Sequence, residues 1–164
     1  MIIGKMDATK VEVFATRLVR VHNGREKPVP AFLPGYMKWS DSEREAFHAR
    51  IGKGASRYFD LFHVVKPDRR GELNYEELPD SGERAALLSI DRLMKTFDCN
   101  HLAGPGEYLL HLEIGADNVG PRRVVVRIDA RALVWHDDPQ AFKRSLGISV
   151  QKAPGVVKGP RAGA

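Results

Sequence analysis

The chain has 164 residues, 43% of them hydrophobic and 29% charged, with a formal net charge of +5. That length fits one domain whose core needs no disulfide or metal staple, and the composition excludes wholesale disorder. The single cysteine, Cys99, excludes an intramolecular disulfide and fits a reducing compartment.

The first residues, MIIGKMDATKVEV, hold no apolar run of signal-peptide length. No stretch approaches the roughly 18 apolar residues of a membrane helix. A soluble cytoplasmic protein is the expectation. The basic excess points toward nucleic acid less than its size suggests. Residues 147–164 carry Lys152, Lys158 and Arg161 and no acid, and taking these three from the 26 basic residues leaves 23 against 21 acidic ones. A nucleic-acid footprint should instead be a basic face on the folded body.

Residues 1–9 read as a lead-in. Lys10 to Val21 alternates as a half-buried strand. Val11, Val13, Ala15, Val19 and Val21 share one face, interrupted by Arg17, with Phe14 and Leu18 on the other. Asn23-Gly24 tolerates positive φ and predicts a hairpin turn. The return segment PVPAFLPGYMKW holds three prolines, which cannot donate to a ladder, so 28–34 is expected as an edge strand or extended loop.

Ser40 and Glu43 have capping-box spacing, and Phe47 and Ile51 follow four apart, which predicts a helix near 40–51. Gly52 and Gly54 would break it. A second helix is expected near 56–65 on Phe59, Phe62 and Val65, and a third near 81–97 on Leu87, Ile90, Met94 and Phe97. Glu107 to Gly115 and Arg122 to Trp135 predict two strands about a DNVGP turn. Tyr108, Leu110, Leu112 and Ile114 oppose Glu107, His111 and Glu113; Val124, Val126 and Ile128 oppose Arg123, Arg127 and Asp129. Such unlike faces mark an antiparallel sheet covered on one side. Asp137 or Asp138 with Pro139 starts a short helix. From Ile148 a flexible basic tail is expected.

The expected fold is therefore α+β: an antiparallel sheet of three to four strands packed against two or three helices, in one domain over 1–147 with a tail over 148–164. The alternative is a small β-sandwich with a helical insertion.

Local motifs fall short of known chemistry. Residues 66–77 place Gly71, Leu73 and Glu77 as a calcium loop would, but Lys66 and Arg70 stand where oxygen ligands belong. GKGAS at 52–56 lacks the spacing of a phosphate loop. Six histidines lack zinc-protease spacing, and Cys99, His101 and His136 offer too few ligands for a zinc site. No catalytic residue, metal or cofactor is assigned. Arg123, Arg127 and Arg131 can share one face, mixed with aspartates. Tyr36 and Trp39, on the proline-rich segment, are candidate protein-binding aromatics. His111 shares the polar face of its strand with Glu107 and Glu113.

The leading expectation is a small non-enzymatic interaction module binding a protein partner through Tyr36, Trp39, His111, Arg123, Arg127 and Arg131. An accessory or mobile-element protein would have this profile. One alternative is a nucleic-acid or phosphate binder using the arginine strand 122–131 and the basic tail. The other is a small enzyme built around Cys99, His101, His111 or His136.

Overall fold

The structure is a computed structural model that describes residues 2–3, 7–30, 32–42, 45–66, 86–94 and 102–152. Among these the elements are β1 (Ile2–Ile3), β2 (Ala8–His22), β3 (Arg25–Pro28), β4 (Gly35–Tyr36), β5 (Phe47–Ile51), β6 (Ser56–Arg57), β7 (Phe62–Val65), β8 (Leu87–Ile90), β9 (Leu102–Ala103), β10 (Glu107–Ala116), β11 (Val119–Asp129), α1 (Pro139–Ser145) and β12 (Gly147–Lys152). The chain is predominantly β, with one helix among the described residues.

β2 organises the fold. One edge pairs antiparallel with β10 along most of its length, while β5, β4 and β3 divide the other edge between them. β11 and β12 extend the sheet beyond β10, giving seven strands. A second, three-stranded sheet runs β7-β8-β9. Leu88 and Ile90 of that sheet lie in one buried cluster with Val13, Leu110, Leu112 and Ile128 of the larger one. Leu87, Leu88, Ser89 and Ile90 are all buried, as the central strand of a covered sheet requires.

The α+β expectation is overturned, because segments read as helices are strands. Phe47 and Ile51 stand four apart, a spacing that one face of a helix and one face of a strand share. Pairing decides: Phe47 lies opposite Glu12 and Ile51 opposite Ala8 across β2. Ser40 caps no helix there, and its hydroxyl donates to Asp60 at 2.6 Å. The segment 56–65 forms β6 and β7, with Gly52 to Ala55 as a turn between strands. Within 81–97 the described part holds β8, and Met94, expected inside, is 80% exposed. The helical insertion of the alternative reading is likewise missing from 45–66 and 86–94.

A bulge corrects the reading of the first strand. Arg17 lies opposite His111 and Ala15 opposite Leu112, so Thr16 is the extra residue. Its hydroxyl donates to the His111 carbonyl at 3.2 Å. The bulge reverses parity. Leu18, opposite Leu110, joins Val11, Val13 and Ala15 on the core face, and Val19, opposite Leu109, turns to the outer face.

Other features agree with expectation. Asn23 and Gly24 have φ of +50° and +72° and close the β2–β3 hairpin. The paired edge is Arg25–Pro28, however, and not 28–34, where Pro30 and Pro34 have no amide to donate. β10 and β11 pair around Asp117 and Asn118 with the expected core face of Tyr108, Leu110 and Leu112, although β11 ends at Asp129 rather than Trp135. Asp138 caps α1 by accepting from the Gln140 amide at 2.9 Å. Ile148 to Lys152, expected as a flexible tail, are instead a strand paired with β11. The calcium-like loop beyond Lys66, Cys99 and His101 lie outside the described residues.

Candidate functional site

Residues directly opposite across antiparallel strands share a face, so the register maps the sheet's outer surface. One row runs Phe47, Glu12 and Gly115 across β5, β2 and β10. The next runs Tyr36, Phe14, Glu113 and Arg123 across β4, β2, β10 and β11. Beyond the bulge the same face carries Arg17, His111 and Val125, then Val19, Leu109 and Arg127, then Val21, Glu107 and Asp129, and there Val19, Leu109 and Glu107 are buried.

All residues of the first two rows but Arg123 line a cleft of about 630 Å³, with Lys10, Asp117, Val119 and Pro121 at its margin. Phe14 and Tyr36 meet edge to face, with centroids 5.0 Å apart and planes at 79°. Tyr36 is 38% exposed and Phe47 43% exposed. Lys10 adopts φ +48°, unusual for a residue with a side chain. Its neighbour Thr9 is fastened to the β10–β11 turn, the amide donating to Asn118 Oδ1 at 3.1 Å and the carbonyl accepting from the Asp117 amide at 3.0 Å. The Lys10 ammonium lies 3.3 Å from the Asp117 carboxylate.

The arginines occupy the same face, and two of the three are closely matched by carboxylates. Arg127 lies 2.7 Å from Glu107, and Arg131 3.7 Å from Glu107 and 2.5 Å from Asp129. Arg123 stands 3.5 Å from Glu113. Hydrogen bonding from the Arg131 side chain holds the Asp129 carboxyl at about 2. Hydrogen bonds from the Arg50 side chain and the Lys53 amide likewise lower Asp7. His111 lies between these two regions. Burial lowers its pKa, and Arg17 lowers it further against the opposing pull of Glu26. Its Nε2 is buried with no hydrogen-bond partner.

Trp39 is not a surface aromatic. It is 1% exposed, packed edge to face against His48 and Phe59. Phe32 and Met37 of the same segment are buried with it, so of the two candidate aromatics there Tyr36 alone faces outward. The pairing with β2 sets this, because Phe14 draws Tyr36 onto the outer sheet face.

A second cleft, of about 780 Å³, contains a pair that sequence spacing could not reveal: His63 Nδ1 stands 2.8 Å from Asp91 Oδ1. Twenty-eight residues separate them, and the β7–β8 pairing brings them together. No serine, threonine or cysteine is among the described residues lining it. His136 packs its ring against Phe142 at 5.8 Å, and its suggested companions Cys99 and His101 lie outside the described residues. Among the described residues no group of three or more His, Cys, Asp or Glu side chains could hold a metal ion. No described helix is long and apolar enough to cross a membrane.

The cleft residues Glu12, Phe14, Phe47 and Glu113 were missed in sequence. Phe14 carried a faint signal, as an aromatic on the polar side of an alternating strand. No protein-family model matches this chain, and comparison with curated proteins and with solved structures gave no match.

Proposed function

We propose that this protein is an interaction module that binds a protein partner through the outer face of its seven-stranded sheet, at the cleft between Phe14, Tyr36 and Phe47. One observation carries the reading: three aromatic side chains from three different strands converge on a surface cleft, with Tyr36 and Phe47 substantially exposed. Aromatic residues supply large contact area at low entropic cost, and their enrichment marks interface cores.

The ion pairs make nucleic acid a poorer occupant of the same face. Arg127 and Arg131 stand 2.7 and 2.5 Å from carboxylates, so phosphate would have to displace Glu107 and Asp129, which leaves Arg123 alone loosely held, 3.5 Å from Glu113. A cytoplasmic setting is assigned with the module, in keeping with its single cysteine.

Photo-cross-linking tests the reading. A benzoylphenylalanine placed at Phe47 should capture one defined partner in cells, and Tyr36→Ala should abolish that capture. The same probe at Gln140, on α1, should capture nothing comparable. Equal capture from both positions, or capture indifferent to Tyr36→Ala, would overturn the assignment.

A further inference from the structure

We propose that the Phe14–Tyr36–Phe47 cleft receives an arginine side chain of the protein partner. The inference rests on the docking reading above and adds the chemistry of what enters.

The cleft's charge is opposite to that of the whole chain. Its lining holds the carboxylates of Glu12, Glu113 and Asp117 against one ammonium, Lys10, on a protein of net charge +5. Lys10 is matched by Asp117. Among the described residues no cation pairs with Glu12. Glu113 has Arg123 at 3.5 Å, a long contact from a side chain that is 78% exposed. Two carboxylates therefore line the same cleft as the aromatic rings with charge left to satisfy.

Gly115 shapes the floor. A Cβ there would lie 3.2 Å from Glu12 Oε1 and 3.4 Å from its Cγ. The bare backbone thus lets the Glu12 side chain lie across β10, in the cleft that Phe14 and Phe47 also line. Phe14 and Tyr36 meet at a near-right angle, making a corner of two ring planes.

A guanidinium matches this arrangement. Its flat, weakly hydrated face stacks on an aromatic ring, and its forked N–H groups donate in pairs to a carboxylate. A lysine ammonium is a compact, strongly hydrated charge with no planar face to stack. Neutral or acidic groups would leave Glu12 and Glu113 uncompensated.

The test is an NMR titration of the full chain with N-acetyl-arginine amide, its lysine analogue, and the uncharged isostere N-acetyl-citrulline amide. The arginine probe should shift the amides of Glu12, Phe14, Tyr36, Phe47 and Glu113. Citrulline should bind about tenfold more weakly or less, and lysine between them. Glu12→Gln with Glu113→Gln should erase the preference for arginine without altering the rest of the spectrum. Citrulline binding as well as arginine, lysine binding more tightly, or shifts confined to other surfaces would overturn the proposal. If the Phe47 cross-link still forms in the Glu12→Gln/Glu113→Gln chain, docking stands and the arginine assignment fails. If the arginine probe binds the cleft but no cross-link forms, the cation site stands and partner docking fails.

Discussion

Two aromatic residues three positions apart, Tyr36 and Trp39, have opposite physical roles. Trp39 fills the core between His48 and Phe59, while Tyr36 rests on Phe14 at the surface. Trp39→Ala should therefore cost about 3–5 kcal/mol, the range for emptying a large aromatic site. Tyr36→Ala should cost about 1 kcal/mol or less, as at an exposed position outside the core. Urea midpoints at unchanged m-value would show the difference, and equal losses would contradict the burial pattern. The titrating groups make a second residue-scale prediction. Asp129 has a folded pKa of about 2, below its ordinary 3.8, so its stabilising contribution is present above that ordinary value and lost as pH falls through the folded one. His111 is also depressed, by burial. The unfolded chain takes up that proton first, so stability falls as pH drops below about 6.5. A melting profile against pH should show both losses. His111→Gln should flatten the upper one and Asp129→Asn the lower one, and a profile unchanged by either would contradict these assignments.

At the scale of elements, legibility followed the uniqueness of the pattern. β10 and β11 alternate over many residues about an Asp-Asn turn, and Asp138-Pro139 starts α1; each pattern fits one structure only. Phe47 and Ile51 fit two, and Leu87 to Ile90 is a short apolar run whose type periodicity alone leaves open. Only their strand partners, far along the chain, decide them. The Thr16 bulge is another such case. Arg17 reads as an interruption of an apolar face, but in the structure it marks a change of parity. Deletion then discriminates. Removing Thr16 restores simple alternation, since Ala15 and Leu18 stay inward and Arg17 outward. Removing Phe14 leaves the bulge in place and turns Val11 and Val13 away from the core. The Thr16 deletion should melt cooperatively within a few degrees of the parent, and the Phe14 deletion should fail to fold. Equal tolerance of the two by calorimetry would mean that the register is not fixed by this face.

At the scale of the whole molecule, the candidate site was illegible because no local segment contains it. Phe14, Tyr36 and Phe47 belong to β2, β4 and β5, and they converge because the long strand β2 offers one edge to several short partners. The same sheet ends differently on its far side. β12 continues the core face outward, with Ile148 opposite Ile128 and Val150 opposite Val126. Ile128 and Val126 are buried, whereas Ile148 is 54% and Val150 70% exposed. No described strand pairs with the outer edge of β12. An open edge carrying alternate apolar side chains invites edge-to-edge association, and a lysine there is a common natural defence. Val150→Lys should therefore leave stability within about 0.5 kcal/mol, as a surface change does. It should also reduce concentration-dependent self-association in light scattering. A large drop in melting temperature would mean that Val150 is covered in the folded protein. Association unchanged by the lysine would mean that any contact between copies runs through another surface.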